Sequence, residues 1–122
     1  MKISVYDIAR RSKTVQKASS QPLLDCVFTV LHYNNSQRLL GPGPYAPEIL
    51  WEELSQSLNA THIASAEKLV AQLQREALKV GDQLYYRNSA YEQMQETWKR
   101  NNPGFTEETY SQALGYAIRV MR

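Results

Sequence analysis

Asp25, Thr29 and His32 are the residues that come closest to a catalytic arrangement, because offsets of 0, 4 and 7 place them on one stripe of any helix that contains them. A histidine oriented by a carboxylate is a general base. Asp25 and His32 are nevertheless two turns apart, about 10 Å of helical rise, which is too far for a direct hydrogen bond. The stripe therefore reads as the solvated side of an apolar helix. His62 has no acid or cysteine within one turn of it. Cys26 is the single cysteine, which excludes an internal disulfide framework and a cysteine-based zinc cluster. With two histidines in the chain, no structural metal site is expected, and no cofactor. The sequence contains no phosphate-cradling glycine loop, nucleophile elbow, paired-histidine metal motif or catalytic cysteine pattern. The expectation is a non-enzyme.

A binding surface is easier to place. Glu48, Glu52 and Glu53 flank Trp51 just downstream of Tyr45. Carboxylates beside aromatics suit a protein-docking face, with Tyr45 and Trp51 as anchors and the glutamates facing a cationic partner. The alternative is an ordinary solvated helix face with a core tryptophan. A second charged feature lies at the N-terminus. Residues 1–20 carry five basic side chains against one acidic, whereas the remainder carries nine against eleven, so a formal charge of +2 conceals a basic arm on a mildly acidic body. Such an arm can touch phosphates non-specifically. The alternative function is accordingly a nucleic-acid-binding accessory protein.

The elements that must position these residues are helical throughout. At 122 residues with 43% hydrophobic content, the chain is expected to be one helical domain over 1–122, with 1–20 as a basic arm or short docked helix. Ser4 can cap a first helix to about Ser12, with Val5, Ile8 and Ala9 as a narrow apolar stripe that docks on something larger. Thr14 to Gln21 reads as a linker. Pro22 opens a second helix to about Tyr33, apolar enough to suit a buried strand as well, and Asn34-Asn35-Ser36 ends it. Leu40-Gly41-Pro42-Gly43-Pro44-Tyr45-Ala46-Pro47 admits neither helix nor strand. A third helix is predicted from Pro47 to about Leu58, with Leu50, Trp51, Leu54 and Leu58 inward. After a break at Asn59 to Ala64, Ser65 caps a fourth, whose inward set is Ala66, Leu69, Val70, Leu73, Ala77 and Val80 and whose stop is Gly81. Asp82 to Asn101 is helical with a boundary at the capping box Ser89/Glu92 and an inward set of Tyr91, Met94 and Trp98. Thr106 caps the last helix, Phe105 staples onto Tyr110, and Tyr110, Ala113, Leu114, Ala117, Ile118 and Met121 face inward. The fold class is all-α, an irregular or orthogonal bundle of five or six helices.

Two resemblances follow from particular residues. Val5-Tyr6-Asp7-Ile8-Ala9-Arg10-Arg11-Ser12 resembles the first helix of the helix-turn-helix in LacI-type repressors, but Lys13 to Lys17 supplies neither the glycine turn nor a recognition helix. Gly104-Phe105-Thr106-Glu107-Glu108-Thr109-Tyr110, continuing through Ala113-Leu114-Gly115-Tyr116-Ala117-Ile118, resembles in layout the last helix of small all-helical bacterial immunity proteins of contact-dependent growth inhibition systems. That resemblance implies a cytoplasmic, non-catalytic inhibitor that binds and blocks one cognate toxin domain, for instance a nuclease. The lack of a signal-like or membrane-length apolar run agrees with a cytoplasmic protein that has no membrane partner.

Overall fold

The structure, a computed structural model, describes residues 2–41, 43–85 and 91–120, and of residues 83–85 the backbone alone. It is all-α. Five α-helices are described, α1 (Val5–Ser19), α2 (Leu23–Leu40), α3 (Ala60–Tyr85), α4 (Tyr91–Asn101) and α5 (Glu107–Val120), with one short 3-10 turn at Trp51–Glu53 and no strand among the described residues. None of these helices is long and apolar enough to cross a membrane. Two compact units divide the chain, Met1–Ala64 and Ser65–Arg122, so the division falls inside α3.

In the first unit, Ser4 caps α1 by accepting from the Tyr6 amide at 3.1 Å. The helix does not stop at Ser12. It runs through the expected linker to Ser19, because Thr14 and Ser19 turn their hydroxyls back onto the carbonyls of Arg10 and Val15, and because Val15 and Ala18 pack on α2. The uninterrupted helix also leaves no turn for a helix-turn-helix. Its apolar stripe is inverted relative to expectation: Val5, Ile8 and Ala9 face solvent, and Arg11, Val15 and Ala18 turn inward.

α2 is a helix, not a strand, and it too is longer than expected. Asn34-Asn35-Ser36 continues it to Leu40, since Asn34 and Gln37 find partners outside the helix and Ser36 donates to the His32 carbonyl at 3.0 Å. Gly41 ends it at φ 76°, a left-handed value that glycine adopts without a Cβ penalty. The expected solvated stripe turns inward instead, with Asp25 and Thr29 buried and His32 half-buried. Asp25 is 1% exposed, Thr29 donates to Gln21 Oε1 at 2.6 Å, and the His32 ring stacks on Phe28 at 5.3 Å between centroids. The unit's core joins Ala18, Cys26, Val30, Tyr33, Ile49 and Leu54, and burial pushes the Cys26 thiol up to about 11.

No helix forms over 47–58. Residues 45–50 have no regular secondary structure and reach an extended Leu50, followed by the 3-10 turn and an irregular segment to Asn59. Leu50, expected inward, is exposed. Asn59 supplies the cap of α3 in place of Ser65, its Oδ1 accepting from the Thr61 amide at 2.8 Å, so Ser65 and His62 both lie on the helix.

The second unit follows its sequence pattern more closely. Ala66, Val70, Leu73, Ala77 and Val80 are buried along α3, while Leu69 is exposed. Trp98 of α4 donates its indole N–H to the Leu73 carbonyl at 3.1 Å and meets Tyr110 of α5 edge-on at 5.5 Å. Phe105 meets Tyr110 edge-on at 5.9 Å, as the staple requires, and Tyr110 donates to the Asn102 carbonyl at 2.7 Å. The Ser89 half of the expected capping box, together with Met121, lies outside the described residues. Gly81 does not stop α3. A Cβ there would sit 3.3 Å from the backbone of Ala117, so the missing side chain admits α5 at close range.

At Gly115 of α5, by contrast, a Cβ would meet nothing within 4 Å. Gly115→Ala should therefore raise stability by about 0.5–1 kcal/mol through helix propensity. Gly81→Val should lower it by about 1–3 kcal/mol through overpacking. Urea midpoints of the two variants at unchanged slope check both signs.

Candidate functional site

The five expected site residues fall on one continuous strap. Its backbone runs across α1 and α2 in an orientation set by side chains. Gln37 Nε2 donates to the Ala46 carbonyl at 2.7 Å. Three residues earlier on α2, Asn34 accepts from the Ile49 amide at 2.7 Å and donates to its carbonyl at 3.0 Å, a two-way pairing that mimics a strand neighbour. From the other side, Arg11 of α1 donates to the carbonyls of Pro47 and Glu48, both at 2.8 Å, and to Glu53 at 2.6 Å. Further along, Gln56 Nε2 reaches the Ala18 and Gln21 carbonyls, and the Ser55 amide donates to Ser19 Oγ.

This bracing decides what each residue presents. Tyr45 is exposed, and Trp51 is half-buried against the core. Glu48 pairs with Arg38, and Glu53 with Arg11 while also accepting from the Leu50 amide at 2.7 Å. Two of the three glutamates are thus neutralised within the unit. Glu52 is exposed and makes no ion pair among the described residues, and Leu50 stands beside it. The outer edge is aromatic and aliphatic with one free carboxylate, less acidic than the sequence alone suggests. Ile8, Arg11, Ala46, Pro47 and Glu53 line a groove of about 350 Å³ where α1 meets the strap.

Arg11, Asn34 and Gln37 are the residues that sequence reasoning missed. Two amides three positions apart in an apolar helix were the available signal, since they share a face and require partners there. The basic arm has become α1. Its Arg10 lies over the Tyr33 ring at 5.1 Å and, with Lys13 and Lys17, lines a groove beside Tyr6. Among the described residues no group of three or more His, Cys, Asp or Glu side chains could hold a metal ion.

Asn34→Ala would leave both backbone groups of Ile49 buried without partners and should cost about 3 kcal/mol, read by denaturation together with faster exchange of the Ile49 amide. The Glu53 carboxyl is held below its ordinary range, first by the Arg11 hydrogen bond and then by the Leu50 amide. A depressed folded pKa stabilises above the unfolded value and is lost as the pH falls through the folded one. Glu53→Gln should therefore be less stable than the parent near neutrality, and the two should converge in acid, as a pH series of urea midpoints would show. No family model matches the chain, and no curated protein or solved structure is significantly similar to it.

Proposed function

We propose that the chain is a non-catalytic protein-binding module, and more specifically an immunity-type inhibitor that binds and blocks a cognate toxin domain. The observation that carries the general reading is the braced strap. Its inner side is tied down by Arg11, Asn34 and Gln37, and its outer side offers Tyr45, Leu50 and Glu52. A surface ordered before binding loses little conformational entropy on association, and an aromatic anchor with an adjoining carboxylate is a common source of affinity. The specific reading rests on the sequence resemblance of the last helix alone; in α5 Thr106 accepts from the Thr109 amide, Phe105 meets Tyr110, and Ala113, Leu114 and Ala117 are buried.

The partner to test is the protein encoded by the reading frame immediately upstream. Co-expression should give a stable complex in which this chain suppresses the partner's activity. Tyr45→Ala combined with Glu52→Lys should weaken it at least about tenfold by calorimetry. Failure of the pair to associate would reject the immunity reading, and undiminished binding by the double variant would remove the strap from the interface.

A further inference from the structure

α1 carries a second amphipathic face that nothing in the described chain covers. Asp7, Arg11, Thr14, Val15 and Ala18 are buried or half-buried on its inner side, and Arg10, Lys17 and Ser19 are half-buried at its borders. Projected at 100° per residue, the outward side divides into two strips. One is apolar in its first turns, with Val5, 83% exposed, between Ile8, 53% exposed, and Ala9, before the polar Ser12 and Gln16 continue it; the other is basic, with the exposed Lys13 and the half-buried Arg10 and Lys17 around Tyr6, itself 75% exposed. The fully exposed positions of α1 include no acidic residue. A single exposed aliphatic side chain carries no message, whereas a contiguous exposed patch marks a surface that something covers.

The end of α2 enlarges the same patch. A short connection makes α1 and α2 antiparallel, and Arg10 over Tyr33 fixes their register. Val5 precedes Arg10 by about 8 Å of helical rise and Leu40 follows Tyr33 by about 10 Å, so both point to one end of the unit. Leu39 is 70% exposed there, and Leu40 is exposed beside it. The result is an aliphatic tip with the exposed Lys2 at its end and the exposed Lys13 about 12 Å back along α1.

We propose that this tip is a docking surface for an anionic lipid bilayer, with Val5, Ile8 and Leu39 entering the headgroup region and the exposed Lys2 and Lys13 lying against the lipid phosphates. Charge complementarity selects the occupant. A second copy would bring two basic strips together, and a nucleic acid would leave the aliphatic strip without a role, whereas an anionic bilayer satisfies both strips at once. The mode is attachment to the surface, which needs no spanning helix. It adds to the strap-based reading and uses different residues.

Co-sedimentation of the full chain with phosphatidylcholine vesicles, and with equimolar phosphatidylcholine and phosphatidylglycerol vesicles, tests the proposal. Binding is expected to the anionic vesicles alone and should fall as salt is raised. Val5→Asp with Ile8→Asp should reduce it at least about tenfold at unchanged circular dichroism, since Val5 is largely in solvent and Ile8 lies at the open edge of the groove rather than in the core. Lys2→Gln and Lys13→Gln should each weaken it about fivefold at low salt. Tyr45→Ala with Glu52→Lys should leave vesicle binding unchanged, which separates this result from the fate of the protein-binding reading. Absence of binding to anionic vesicles, or equal binding by the Val5/Ile8 variant, would overturn the proposal. A wild-type chain that ignores vesicles but shifts duplex DNA would also overturn it and assign the basic strip to nucleic acid.

Discussion

A backbone that forms neither helix nor sheet has to find its hydrogen bonds elsewhere, and the strap imposes that requirement on the whole first unit. An unpaired buried peptide group costs on the order of 1–3 kcal/mol. Ile49 is buried, so its amide and carbonyl need partners, and Asn34 provides both. This is why α2 contains two amide side chains at buried positions and why it extends past Tyr33: Asn34 and Gln37 would lose their registration with the strap if the helix ended earlier. Arg11 does the same from α1, with one guanidinium serving two carbonyls and a carboxylate.

The same bracing redistributes charge and apolar surface. Glu48 and Glu53 stand in the sequence as a potential ligand for a cationic partner, yet each is paired with an arginine of its own unit. The Arg38–Glu48 pair is exposed and contributes little, while Arg11–Glu53 is sheltered and reinforced by backbone contacts. α1 shows the reverse exchange. A cation takes the inward position that an apolar side chain would normally occupy, because carbonyl oxygens lie there to receive it. Val5 and Ile8 are left outside as a consequence. The surface available for recognition is therefore more aliphatic at the tip of the unit, and less acidic along the strap, than composition implies.

The second unit depends on packing at close range. Gly81 interrupts a helical pattern that is otherwise continuous, and a glycine near the end of an apolar stripe normally marks a terminus. Here it marks a contact, since the backbone of α5 lies 3.3 Å from where a Cβ would stand. Trp98 and Tyr110 complete the arrangement, each burying a ring and delivering its polar group to a main-chain carbonyl.

Periodicity determined much of this from sequence alone. The all-α class, the glycine-proline break after Leu40, the buried stripe of α3 and the cap, staple and inward face of α5 were all legible, because each depends on residues within a few positions of one another. What the sequence did not determine were the features that depend on distant partners. The segment from Pro47 to Leu58 has helical spacing but is drawn into an irregular strap by Asn34 and Arg11, and a short helix of marginal propensity cannot compete with satisfied buried hydrogen bonds. The orientation of α1 was likewise decided by the tertiary structure, which turned Arg11 toward the strap's carbonyls and so set Val5 and Ile8 in solvent. Local spacing can say which residues share a face; only the positions of unpaired backbone groups elsewhere in the fold say which face turns inward.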